Sequence, residues 1–224
     1  MKGAARAAGK ESGRPDGPRV FLLSPAFLGG VRATLLLNPR AGFARAKAFQ
    51  AEGLSIAEVF AFASGLYFRG KIAYARQFVR PERGDLVRVI TTNAGLVDPE
   101  RVIGPRELLA FGASVIDAEN PDYLGPLRRD AGLLAPAFES AVLLGSIATA
   151  KYREVLLEAF GERLLFPRDF VGRGDMSRGA LLLKAARLGR ELEYLRLHKA
   201  KVTGRRAPGV RNHPVFGERK GRRR

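Results

Sequence analysis

The stretch SAVLLGSIATAKYREVLLEAFGERLLFP, residues 140–167, narrows most what this chain can fold into. An apolar run, Ala141 to Leu144, meets Gly145-Ser146. An amphipathic helical pattern then closes at Gly161, and a second apolar run, Leu164 to Phe166, stops at Pro167. Apolar runs this short suit strands buried on both faces, and two strands joined through a helix pair in parallel. The segment predicts a β-α-β unit whose crossover helix packs back on the sheet.

The same grammar recurs along the chain. RVFLLSP, residues 19–25, reads as a strand stopped by Ser-Pro, and GGVRATLLLN follows as a glycine pair and a helix. DLVRVITTNAGLVDPE, residues 85–100, gives another strand, ending at Thr91, Thr92 and Asn93. Between them, LSIAEVFAFA (54–63) predicts a helix with Ser55 and Glu58 at capping-box spacing. SGLYFRGKIAYARQF (64–78) predicts an amphipathic helix with Phe68, Ile72 and Ala75 toward the core and Arg and Lys stems snorkelling to water. The alternative for that segment is an aromatic and basic surface that stacks a base. A longer helix is expected from about Leu124, another up to about Leu188, and then an edge strand, ELEYLRL. The fold class expected is α/β: a single domain over residues 19–198, with a mainly parallel sheet flanked by helices in a Rossmann-like, three-layer arrangement.

The 224 residues, 46% of them hydrophobic, suffice for one buried core. The absence of Cys excludes disulfides, thiolate nucleophiles, Cys-ligated zinc and iron–sulfur clusters. The two histidines, His198 and His213, fall at or beyond the last periodic segment, so acid–base work is left to Asp, Glu, Lys, Tyr or water. Neither a metal nor another cofactor is expected. No run approaches the roughly 18–20 apolar residues of a membrane span, and residues 1–19 lack the apolar centre of a secretory signal. The chain therefore reads as cytoplasmic, without a membrane partner.

The net charge of +17 is concentrated at the ends. Residues 1–19 carry five Lys and Arg against Glu11 and Asp16, and residues 199–224 carry ten against Glu218 alone. Segments 1–18 and 199–224, rich in Gly, Pro and Arg, cannot bury enough surface to offset ordering entropy and are expected to be disordered basic tails. Arg205, Arg206, Arg211, Lys220, Arg222, Arg223 and Arg224 are the candidate nucleic-acid contacts, acting through counterion release. A plain solubilising tail is the alternative.

If the four strands are parallel, their following loops leave from one carboxyl edge, where open α/β sheets bind ligands. That edge would gather Ser24 and Gly30, Thr92 and Asn93, Gly145 and Ser146, and then Gly172, Arg173, Gly174, Asp175 and Ser177 from FVGRGDMSRGALLL. Glycines admit an anion to backbone N–H groups, and an Arg fork matches phosphate or carboxylate. Asp175 is either a helix N-cap or an acid–base group. Asp117, in VIDAENPDY, is a second candidate carboxylate. No G-x-x-x-x-G-K-[ST], no G-x-G-x-x-G opening the first helix and no G-x-S-x-G elbow is present, which disfavours ATP, NAD and a serine triad.

VRVITTNAGLVDPERVIGPRELL, with the Asp-rich loop and VLLGSIATAKYREVL that follow, resembles the α/β domains of unknown function related to the accessory domain of archaeosine synthase, and loosely the YaaA-like bacterial proteins. The resemblance covers roughly residues 60–180 and implies a setting in nucleic-acid modification or repair. The expectation is a protein that binds a nucleotide, nucleoside or phosphosugar-like anion at the strand carboxyl edge, in nucleic-acid or nucleotide metabolism. If it is an enzyme, a metal-independent transferase or hydrolase is expected. The alternative is a non-catalytic nucleic-acid-binding protein that uses its basic tails.

Overall fold

A computed structural model describes residues 17–147 and 150–199. Along the chain run β1 (Arg19–Leu23), α1 (Val31–Leu37), α2 (Ala44–Glu52), β2 (Leu54–Ser55), α3 (Ile56–Ser64), α4 (Leu66–Phe78), β3 (Leu86–Ile90), β4 (Leu96–Val97) and β5 (Val102–Ile103). There follow α5 (Pro105–Ala113), α6 (Pro121–Leu134), β6 (Ser140–Leu144), α7 (Ala150–Phe160), β7 (Leu164–Pro167), α8 (Asp175–Leu188) and β8 (Tyr194–Arg196). The fold is α/β, as expected. Arg205, Arg206, Arg211, Lys220, Arg222, Arg223 and Arg224, with nearly all of both expected tails, lie outside the described residues. No helix among the described residues is long and apolar enough to cross a membrane.

The main sheet has six strands in the order β4-β3-β1-β6-β7-β8. Its four inner strands are parallel: β1 pairs with β3 through Val20 and Leu86, and with β6 through Val20 and Ala141, while β6 pairs with β7 through Ala141 and Leu164. β4 and β8 close the edges antiparallel. Every residue of β1 and of β6 is buried, which is why both read as continuous apolar runs rather than alternating ones.

Several elements are shorter or shifted relative to the sequence pattern. The TTNAG stretch is not a loop into a helix: Thr91 N–H donates to Gly95 O (2.9 Å), and Gly95, at φ 68°, turns the chain back into β4. Two residues of β2 pair with two of β5 in a separate antiparallel ladder that ties the start of α3 to the start of α5. α6 begins at Pro121, three residues before the expected Leu124, because Asn120 caps it by accepting from Asp122 N–H at 3.1 Å. The Ser55–Glu58 capping box forms as its spacing predicts.

Two features hold the layers in place. α4 crosses α8 with backbone against backbone. A Cβ on Gly70 would stand 2.6 Å from Gly179 O, and one on Gly179 would stand 2.8 Å from both Leu66 O and Tyr67 Cα. At the amino edge of the sheet, buried Arg19 donates Nε to Asp85 Oδ2 (3.1 Å) and its guanidinium also bonds Glu191 and Phe78 O. Asp85 accepts in addition from Arg19 N–H (2.9 Å) and Arg80 N–H (3.0 Å), so β1, the end of α4 and the approach to β3 meet on one carboxylate. A buried cation this fully bonded is costly to unpair.

Gly179→Ala should destabilise the fold by about 1–3 kcal/mol in urea unfolding, since backbone atoms cannot yield as a side chain can. Gly132→Ala, on α6 with nothing within 4 Å of the new methyl, should instead stabilise by roughly 0.5–1 kcal/mol. Equal effects at the two positions would show that α4 and α8 do not meet backbone against backbone.

Candidate functional site

Numbered by their place in the chain, the parallel strands β3, β1, β6 and β7 lie in the order second, first, third, fourth. The chain leaves β1 toward one side of the sheet and later returns to build on the other. The carboxyl ends of β1 and β6 therefore flank the point where strand order reverses, the place where open α/β sheets form their ligand crevice. Ser24 directly follows β1, and Gly145-Ser146 directly follow β6.

Ser24 N–H donates to Leu144 O (3.2 Å), continuing the β1–β6 ladder one step past the strands. Its hydroxyl lies 2.9 Å from Lys71 Nζ, and its carbonyl accepts from the same ammonium at 2.6 Å. Lys71 comes from the middle of α4 and is 1% exposed. The ammonium also lies over the rings of Tyr67 (4.5 Å) and Phe68 (4.9 Å). Lys71 does not snorkel to water, because its stem points into the seam between α4 and the sheet edge rather than along a free surface.

Tyr152, on α7, donates its hydroxyl to Ser146 O at 2.8 Å and meets the Ser24 hydroxyl. Gly145 lets these groups converge. A Cβ there would fall 2.8 Å from Ser24 Cβ and 2.9 Å from the Tyr152 hydroxyl, so no side chain fits. Opposite them, the start of α8 supplies Arg178, whose Nε and Nη2 both donate to Phe170 O (3.2 Å each) and whose Nη1 reaches Asp175 Oδ1 at 3.5 Å. The Tyr67 hydroxyl is buried beside Arg178, a donor to its oxygen, yet finds no acceptor for its own proton among the described residues.

Burial, opposed only by the distant Asp175 charge, lowers the Lys71 ammonium from its ordinary range near 10.5 to about 7. Burial likewise pushes the Tyr152 phenol up to about 12 and raises that of Tyr67, where the Arg178 charge opposes the shift. Near neutral pH the amine is thus partly unprotonated and in contact with a hydroxyl. It can accept the Ser24 proton, while both phenols stay neutral as donors.

Of the residues expected at this edge, Ser24, Gly145 and Ser146 come together, and Asp175 acts on the cluster through space. Asp175 is not the N-cap of α8. Gly174 holds that position, and Asp175 is the first helical residue, with its side chain 68% exposed. Arg173 bonds Ser177 on the outer surface (3.1 Å), and Gly172 and Gly174 face open space. Gly30 caps the two-turn α1 without a side-chain bond. Thr92 donates to Phe111 O (2.8 Å), and Asn93 donates to Ala110 O and Ser114 Oγ (3.2 Å each), so both pin the turn after β3 onto α5. Asp117 is exposed and accepts from Glu119 N–H at 3.0 Å within its own loop. Among the described residues no three His, Cys, Asp or Glu side chains gather as a metal site would require.

Lys71, Tyr67, Tyr152 and Arg178 are the members the sequence pattern hid. The available signal was phase: Tyr67, Lys71, Tyr74 and Phe78 fall on one stripe of α4, which puts a lysine at a core position.

In the unfolded chain Lys71 holds its proton up to about pH 10, while in the folded protein it begins to lose it near pH 7. Over that interval the unfolded state binds more protons, so stability should rise with pH, by at most about 1.4 kcal/mol per pH unit from this group. Below about pH 7 both states are charged and the slope from this group vanishes. Unfolding of Lys71→Met across the same range should lack that contribution, and a slope equal to the parent's would show that the amine titrates normally. Comparison with family models, with curated proteins and with solved structures found no match.

Proposed function

We propose that the chain is a cytoplasmic protein that binds a nucleotide, nucleoside or phosphosugar-like anion over the carboxyl ends of β1 and β6, on a three-layer, Rossmann-like sheet, and acts on it as a transferase or hydrolase. The observation that carries this reading is the buried contact between Ser24 Oγ and Lys71 Nζ at the point where strand order reverses. A lysine with a lowered pKa next to a hydroxyl is the pairing needed to activate a nucleophile without an imidazole.

The neutral Lys71 amine takes the Ser24 proton as Oγ attacks the phosphorus of the ligand. The new Oγ bond forms as the bond to the leaving group breaks, and the Lys71 ammonium returns the proton to that group. Water, or an acceptor hydroxyl, then gives its proton to Lys71 and attacks the Ser24 ester; the bond to Oγ breaks, and the Lys71 ammonium returns the proton to Oγ, restoring the serine and the neutral amine. Arg178 supplies positive charge beside the reacting group. The Tyr67 hydroxyl, a buried donor without an acceptor among the described residues, supplies a hydrogen bond that the ligand would complete. Asp175 acts at a distance, holding the Lys71 pKa from falling further.

Native mass spectrometry of the purified protein should find a phosphate-bearing small molecule on the parent chain. Occupancy should fall in Tyr67→Phe while folding stability stays equal or improves, because a buried donor without an acceptor is removed. Ser24→Ala should retain the ligand and lose turnover. A parent chain without such a ligand, or a Tyr67→Phe variant with full occupancy, would overturn the reading.

A further inference from the structure

From Gly17 to Ala51 the chain contains no Asp or Glu. Within that interval Arg32, Arg40, Arg45 and Lys47 are exposed and form no ion pair with any described residue. Elsewhere the surface is laced with pairs, such as Arg76 with Glu100, Arg88 with Asp98 and Arg168 with Glu193. The first acids to follow in the sequence are Glu52, which ends α2, and Glu58, which is committed to the capping box of α3.

Aromatic rings stand among these cations. Phe43 stacks on Phe62 at 5.7 Å with an interplanar angle of 22°, and the Arg45 guanidinium lies 5.8 Å from the Phe62 ring. One turn further along α3, Arg32 reaches the helix end: its Nη1 lies 2.6 Å from where a Gly65 Cβ would stand. Phe43 is 36% exposed, and Phe27, in the loop that leaves Ser24, is 64% exposed. Residues from three segments thus place two guanidinium groups and a flat, accessible ring around the carboxyl end of α3.

We propose that this face binds single-stranded nucleic acid, with phosphates held by Arg32 and Arg45 and a base stacked on Phe43. Unpaired cations around an exposed ring are the pairing that tracks a strand without reading its sequence. The basic chain ends, with Arg205, Arg206 and the Arg222–Arg224 run, add charge of the same sign. An anionic bilayer is the less suited partner, because α1, which carries the most exposed apolar residue of the face, Val31, is only seven residues long and offers little area to anchor. The proposal stands independently of the Ser24–Lys71 chemistry.

The test is fluorescence anisotropy of a labelled oligo-dT strand with the full-length protein at several salt concentrations. Arg32→Ala and Arg45→Ala should each lower the slope of log affinity against log salt by about 0.7. Phe43→Ala should weaken single-strand binding roughly 5- to 150-fold and leave binding to a duplex of the same length unchanged. Tyr67→Phe should leave all of it unchanged, which separates this surface from the ligand site. No strand binding, a slope unaltered in the Arg32/Arg45 double variant, or losses confined to phosphatidylserine vesicles would each overturn the proposal.

Discussion

The contact of α4 with α8 at Gly70 and Gly179 sets the position of nearly everything chemical in this protein. Helices normally keep their axes about 8–10 Å apart through interposed side chains. Here each glycine meets the backbone of the other helix, so the start of α8 is drawn down onto the first turns of α4. That closeness places Arg178 beside Tyr67 and brings the Asp175 charge to bear on Lys71. A helix standing off by the width of a methyl would admit water around the lysine and return its pKa toward the ordinary range.

Lys71 carries the other half of the energetic argument. Its amine is satisfied by a carbonyl, a hydroxyl and two ring faces rather than by a carboxylate in contact. A directly bonded Asp or Glu would have stabilised the charged form and kept the amine a permanent cation. Neutral partners satisfy its hydrogen-bonding geometry while leaving the desolvation penalty in place. The amine is therefore poised to exchange a proton, and Gly145 closes the space in which that exchange would occur.

Much of the fold was legible in the residues. The runs expected as strands at 20–23, 87–91, 141–144 and 164–166 match β1, β3, β6 and β7, and ELEYLRL supplied the edge strand β8. Local chemistry sufficed there because a buried strand must be apolar throughout and a capping box satisfies its own donors. β2, β4 and β5 escaped notice because two residues carry no period. Strand order, and with it the reversal point at β1 and β6, depends on long-range pairing that no local pattern encodes. At the site, glycine-flanked Arg173 drew attention in FVGRGDMSRG. The arginine on the buried stripe is Arg178, in phase with Leu182 and Ala185. Lys71 was assigned to solvent by the usual behaviour of lysine, although its phase on α4 argued otherwise.

The central strand β1 separates two polar clusters, with Arg19 bonded to Asp85 and Glu191 at one end and Ser24 bonded to Lys71 at the other. Five residues of extended chain set them roughly 16 Å apart, across a wholly apolar interval. Gly17 N–H is held by the Glu139 carboxylate at 2.9 Å, so Gly17 is fixed at the Arg19 end. An affinity handle or surface tether joined there would hold the molecule by its structural end and leave the Ser24 edge turned toward the bulk solution, an orientation suited to immobilised measurement.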